Sequence, residues 1–157
     1  MLRAGMQAPA FTLPDMDGQP RPLQDFLKRG PVLLSFFKIS CPTCQYTFPF
    51  LQRLSEKLDG SLLTVAGISQ DARKGTAEYN RQLGVRFPVL LEGTDDYAVS
   101  NAYGIDHVPS LFLIEPEGRI SLASEGFVRS DLEEIARRMG AAPLFLRGEK
   151  IEAFRPG

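Results

Sequence analysis

The chain has 157 residues, 43 % of them apolar and 24 % charged, and carries a formal net charge of −1. This ordinary globular composition suits one domain with a full core, and the near-zero charge removes any long-range pull on nucleic acid or an anionic membrane. No stretch approaches the ~18 apolar residues of a membrane helix, and two cysteines are too few for a disulfide-stapled secreted scaffold. The opening Met1-Leu2-Arg3-Ala4-Gly5-Met6 lacks the apolar segment of a secretory signal. The expected location is therefore cytoplasmic, or periplasmic if a signal or anchor had been removed.

Residues 7–20 alternate apolar and turn residues and read as a hairpin around Asp17-Gly18. Leu23 to Lys28 forms a short helical turn ended by Gly30-Pro31. The apolar run Val32–Phe37 is a buried strand. Phe48, Leu51, Leu54 and Leu58 then mark the inner face of a helix running from about Cys41 to Leu58. A second strand is expected over Leu62–Ile68. Asp71 is the expected N-cap of a helix with Thr76, Tyr79 and Leu83 inside, closed by Gly84. Phe87–Leu91 is a third strand, and Thr94 is the expected cap of a short helix carrying Val99, Ala102 and Tyr103. The strand Leu111–Ile114 turns through Glu115-Pro116-Glu117-Gly118 into Ile120–Ala123, which makes the last two strands antiparallel neighbours. Ser130 with Glu133 reads as a capping box for a final helix with Leu132, Ile135 and Met139 on its inner face. Residues 141–157 are a tail, with Phe145 and Phe154 the candidates for packing on the body. There is no repeat and no linker long enough to separate domains. One domain over 1–157 is expected, its core spanning about 5–140. Strands alternating with helices and closing in a hairpin imply an α/β domain whose sheet is parallel at the centre with an antiparallel edge.

The only two cysteines, Cys41 and Cys44, lie three apart where the first buried strand ends and a helix begins. Active groups of such sheets gather at the carboxyl ends of strands. Unpaired N–H groups and the positive end of the helix dipole stabilise a thiolate at the first residue of a helix. Only the thiolate attacks disulfides or peroxides. Cys41 is therefore the expected nucleophile, and Cys44, one turn along and further inside, the resolving thiol. A structural zinc site needs four ligands. Two cysteines and one histidine fall short of that, and no metal is expected.

These residues make the chain resemble the thioredoxin superfamily, and within it the TlpA/ResA-like and AhpC/TSA-type thiol-disulfide proteins. Cys41-Pro42-Thr43-Cys44 fits the family's CxxC, and Pro49 fits the proline inside its active-site helix. Ala8-Pro9-Ala10-Phe11-Thr12-Leu13 with Asp17-Gly18 fits its N-terminal hairpin, and Tyr103 to Ile114 fits its cis-proline segment. Glu117-Gly118-Arg119-Ile120 fits the turn that follows. The resemblance implies a thioredoxin-like fold extended by an N-terminal β-hairpin. It also implies a cis Val108-Pro109 bond facing the cysteines. In the family that proline keeps a metal from closing between the thiols and leaves the backbone before it, here Val108, free to pair with a substrate chain. Pro42 and Thr43 would support the pair from within the motif.

The chain departs from the family at three places. Ser40 stands where an aromatic residue often precedes the first cysteine, Ser35 where thioredoxins proper bury an aspartate, and Thr47 where ResA-like proteins carry a glutamate. The usual proton acceptor for the second cysteine is thus missing, and Lys38 and His107 are the ionisable residues nearby. Read without the family, His107 is a loop histidine and Lys38 a solvated rim charge. The expected activity is thiol-disulfide exchange with no cofactor beyond a Cys41–Cys44 redox disulfide. Its expected partners are protein dithiols or disulfides, or a reductant of thioredoxin or glutathione type, with no nucleic acid or membrane. The alternatives are an AhpC/TSA-type thiol peroxidase with antioxidant activity and a thioredoxin-like binding module. The peroxidase motif P-x-x-x-T/S-x-x-C finds Phe37 and Cys41 when aligned on Cys44, and Leu34 and Lys38 when aligned on Cys41, so neither register fits.

Overall fold

All 157 residues are described by a computed structural model. The chain begins with a hairpin of β1 (Thr12–Pro14) and β2 (Pro20–Pro22), followed by α1 (Leu23–Leu27). Then come β3 (Val32–Phe37), α2 (Pro42–Lys57), β4 (Thr64–Ser69), α3 (Arg73–Leu83), β5 (Val89–Leu91) and α4 (Ala98–Ala102). The second half holds β6 (Ser110–Ile114), β7 (Ile120–Glu125), β8 (Phe127–Val128), α5 (Arg129–Met139) and β9 (Phe154–Arg155).

Every residue of β3 is buried, which follows from its place at the middle of a five-stranded sheet ordered β5-β4-β3-β6-β7. Helices cover both faces, so the strand carries no polar side to water. β3 runs parallel to β4, and β4 to β5; β6 lies antiparallel to both β3 and β7. The sheet is mixed as expected, but antiparallel pairing starts at its centre instead of being confined to the closing hairpin.

Side-chain alternation along β3 divides the core. Val32, Leu34 and Phe36 pack with Phe26, Tyr103 and Phe112 on the α1/α4 face. Leu33 and Phe37 pack with Phe48, Leu51, Leu54, Tyr79, Phe127 and Ile135 on the α2/α3/α5 face. Phe48 is the hub of this second layer, its ring meeting Phe37 at 4.5 Å, Tyr79 at 5.3 Å and Phe87 at 5.5 Å between centroids.

Four local expectations are corrected. β4 begins at Thr64, and Leu62 is half exposed in the turn before it. Asp71 does not cap α3; Ala72 holds the cap position and the Asp71 carboxylate accepts the Ile39 N–H at 2.8 Å. Thr94 does not cap α4; Tyr97 occupies that position at φ 52°, and Asp96 accepts the Ala98 N–H at 3.2 Å. The capping box at Ser130 is absent because α5 starts two residues earlier, with Val128 at the cap position. Val128 is extended in β8, the Arg129 N–H donates to Ala153 O at 3.0 Å, and Glu133 is drawn to Arg129. Tertiary partners have taken over the role of local caps.

The tail 141–157 packs along α2. Phe145 is buried against Phe50 at 5.0 Å, and Arg53 grips Glu149 through two bonds of 2.8 and 2.9 Å. Phe154 is 58 % exposed; its backbone pairs in β9 with β8 and only the edge of its ring lies over Gly126. No helix is long and apolar enough to cross a membrane.

Phe48→Ala removes the aromatic hub beneath the cysteine-bearing helix. It should destabilise the protein by ~3–5 kcal/mol, whereas Phe154→Ala should cost under ~0.5 kcal/mol. Urea unfolding midpoints compare the two, and similar losses would show that this layer is not the core.

Candidate active site

β3 delivers Phe37 to the sheet's carboxyl edge, and the next four residues form a braced turn. The Cys41 N–H donates to Lys38 O at 3.2 Å, the Ile39 N–H to Asp71 at 2.8 Å, and the Gln45 amide to Ile39 O at 2.9 Å. Cys41 is the N-cap of α2, in extended backbone, with Pro42 at the first helical position where a missing N–H costs nothing. Its sulfur does the work usually given to a cap hydroxyl, accepting the Cys44 N–H at 3.1 Å. The same thiol donates to the Val108 carbonyl at 3.4 Å.

Cys44 lies one turn further and is fully buried, while Cys41 is half-buried and both thiols are free. Burial pushes the Cys44 thiol well above its ordinary range, and its hydrogen bond with Cys41 adds to the effect. The Asp71 carboxylate pushes the same way, and a backbone hydrogen bond from Lys38 opposes it. The Thr47 hydroxyl, where a proton acceptor was sought, donates to Thr43 O at 2.7 Å inside the helix, and the Ser35 hydroxyl is buried without a partner.

Val108-Pro109 is cis, as the resemblance implied, and Pro109 is buried with its carbonyl accepting the Gly126 N–H at 2.8 Å. Ser110 ties the loop from below through a 2.6 Å bond to His107 O. Val108 is half-buried and its N–H meets no protein acceptor. His107 is exposed and its Nδ1 sits 2.5 Å from Glu125, so its side chain is engaged by that carboxylate. Lys38 is exposed and contributes its backbone carbonyl to the turn, its ammonium making no ion pair. Pro42 is exposed beside Cys41, and Thr43 is buried with its hydroxyl donating to Pro156 O at 2.6 Å.

Three neighbours of the site escaped the sequence reading. Asp71 looked like a helix cap and instead braces the cysteine turn across 32 residues. Tyr79 looked like an inner-face residue. Its ring stacks on Phe37 and its hydroxyl is buried with no partner. Burial, then the nearby thiol charges, raises its ionisation above the ordinary tyrosine range. Pro156 looked like the end of a loose tail. For Asp71 the sequence holds no signal to separate brace from cap, since both want a short acceptor before a helix. No group of three or more histidine, cysteine or acidic side chains converges as a metal site would. The largest cleft, about 570 Å³ between α5 and residues 142–145, contains neither thiol; a smaller one of about 220 Å³ joins Lys38, Gln70, Ser100 and Val108.

A sheet of this order, with a CxxC pair at the end of its central strand and a cis-proline loop against the first cysteine, defines a thioredoxin-fold thiol protein. The chain belongs to the AhpC/TSA family, whose model matches residues 4–123. It is 26 % identical over 132 residues to the thiol-disulfide oxidoreductase ResA of Geobacillus thermodenitrificans, covering 83 % of this chain and 74 % of the relative. It is 30 % identical over 117 residues to ResA of Bacillus subtilis, covering 74 % of this chain and 64 % of that one. Among solved structures, the thioredoxin domain of a thiol-disulfide oxidoreductase from Bacteroides vulgatus superposes with a TM-score of 0.79 at 26 % identity, covering 88 % of this chain and 98 % of that domain. Cys41 and Cys44 fit the redox-active pair of the thiol-disulfide oxidoreductases for which these relatives are named.

Exposure and burial order the two thiols. Limiting iodoacetamide near neutral pH should label Cys41 first, read by peptide mass spectrometry; preferential label on Cys44 would reverse the order. A second expectation concerns pH. The folded chain holds the Cys44 proton more tightly than the unfolded chain does. That stabilisation is complete below the unfolded thiol range, about pH 8.5, and is lost as pH rises above it. Between pH 7.5 and 9.5 the reduced protein should lose ~1.4 kcal/mol in total, a loss missing from Cys44→Ala. Urea unfolding at the two pH values measures it, and equal losses in the two proteins would contradict the burial argument.

Proposed function

We propose that the protein exchanges disulfides through Cys41 and Cys44. The Cys41 thiolate attacks one sulfur of a substrate disulfide. A mixed disulfide forms and the other substrate sulfur leaves as a thiolate that takes up a proton. Cys44 then gives up its proton and attacks the Cys41 sulfur, releasing the second substrate thiol. The substrate gains two electrons and the protein ends with a Cys41–Cys44 disulfide. The reverse sequence oxidises a dithiol. No cofactor beyond this pair takes part.

One observation carries the reading. A single sulfur, Cys41, is reachable from outside, and the buried Cys44 lies directly behind it with its N–H on that sulfur. This arrangement gives each thiol one role. Val108 supports the same reading: its free N–H, next to the carbonyl that holds the Cys41 thiol, is an edge to which an extended substrate backbone can bond. Pro109 holds that edge in place, Pro42 starts the helix, and Thr43 and Lys38 frame the pair through backbone and hydroxyl contacts. His107 lies against Glu125 at the rim of the site. Protein dithiols or disulfides are the substrates, with a thioredoxin- or glutathione-type thiol completing the cycle.

Insulin-disulfide reduction and hydroperoxide consumption, run side by side, test the proposal against the peroxidase alternative. The wild type should reduce insulin, Cys41→Ser should fall to background, and Cys44→Ser should accumulate a mixed disulfide through Cys41. Peroxide consumption outrunning insulin reduction would favour the peroxidase, and activity surviving in Cys41→Ser would overturn the assignment of the nucleophile.

A further inference from the structure

The last residues of the tail lie across the thiol site. β9 pairs antiparallel with β8, Arg155 opposite Phe127 and Phe154 opposite Val128, and the Arg129 N–H donates to Ala153 O at 3.0 Å. Tyr46 of α2 holds the other flank. Its hydroxyl accepts the Glu152 N–H at 3.2 Å, and the Arg155 guanidinium lies 4.6 Å above its ring. From there the chain runs into the active site. Pro156 O accepts the Thr43 hydroxyl at 2.6 Å, between the two cysteines in sequence. Gly157 lies so close to the Val108 carbonyl that a Cβ on it would collide with that oxygen and crowd His107. On β8's side Gly126 shows the same closeness, at φ +76°, where a Cβ would meet Arg155 O.

The Val108 carbonyl is 3.4 Å from the Cys41 sulfur. Any chain joined to Cys41 by a disulfide must therefore pass within a few ångströms of Val108. Pro156 and Gly157 stand at that place, bridging from Thr43 on one side of the thiol to Val108 on the other. A small disulfide needs only Cys41, which is half exposed. A protein disulfide brings flanking backbone, and that backbone competes with the strap for the same edge. The strap's strand pairing is only two residues long and Phe154 is 58 % exposed. Such segments release far more readily than the core.

We propose that residues 153–157 determine substrate class. Resting on the reading of Cys41 as the attacking thiol, the strap leaves small disulfides of the glutathione type direct access to Cys41. Protein disulfides react only through the fraction of molecules whose strap has left β8.

The test compares the chain through Gly157 with one ending at Glu152, both reduced, against glutathione disulfide and against insulin, with rate constants from acid-quenched alkylation. Removing the strap should raise the insulin rate about tenfold, because the reactive fraction is no longer limiting, and leave the glutathione disulfide rate within about twofold. Gly157→Val keeps the β8–β9 pairing and pushes the strap off Val108, so it should move the insulin rate the same way by a smaller factor. An unchanged insulin rate in both variants, or a fall, would overturn the proposal; a fall would make the strap part of the docking surface. Equal acceleration with both disulfides would also overturn it, since a general opening of Cys41 carries no selectivity. If none of the proteins reacts with either disulfide, the exchange reading itself fails, an outcome distinct from failure of the strap alone.

Discussion

The Cys41 sulfur sits at a junction of three backbone elements, and the organisation of the domain follows from keeping it there. As N-cap of α2 it accepts the Cys44 N–H, and as a thiol it donates to Val108. The first contact needs α2 to start where β3 stops, and the second needs the Val108-Pro109 loop to lie across the sheet's carboxyl edge. β3 pairs with β4 and β6 at once, and β6 opens directly after Pro109. The strand that delivers the cysteines and the strand that delivers Val108 are therefore neighbours, locked in register. A shift of β6 by one residue would turn its buried side chains to the other face and take Val108 away from the thiol.

The same junction makes the two cysteines unlike. Cys41 closes the end of a helix and stays within reach of solvent, whereas Cys44 faces the layer of Phe37, Phe48 and Tyr79. Burial there keeps the second thiol protonated, and no carboxylate lies beside it to share the proton. Thr47 spends its hydroxyl on the helix, Ser35 has no partner, and Asp71 is committed to the Ile39 N–H. An apolar position of this kind keeps Cys44 protonated and out of reach of solvent. The hydroxyls of Ser35 and Tyr79 are buried in this layer without a protein partner.

Where elements were misjudged, a long-range partner had replaced a local one. α5 starts at Arg129 because β8 is paired with a strand from the tail, which accepts the first helical N–H and makes a Ser130 cap unnecessary. Asp71 is drawn to the cysteine turn. Local rules for caps hold only while the groups they would satisfy have no better partner across the fold. Phe154 differs for a related reason: an aromatic residue in a tail looks like an anchor, but this one is held chiefly by its backbone pairing and stays 58 % exposed.

The sequence by itself determined the strand–helix boundary at Lys38–Cys41, the CxxC spacing of Cys41 and Cys44 at that boundary, the hairpin around Asp17-Gly18 and the segment that places Val108-Pro109. Each of these rests on short-range order, such as apolar periodicity, a proline or glycine at a turn, and the spacing of two cysteines, which the chain carries locally. Only the tertiary structure decided that Asp71 braces the turn, that His107 meets Glu125, that β6 runs antiparallel to the central strand, and that Pro156 and Gly157 lie beside the thiols. Those contacts join residues 18 to 113 positions apart. Their energies come from burial and hydrogen bonding in the assembled sheet, so nothing in the local pattern of either partner distinguishes them from an ordinary exposed polar residue or a loose tail.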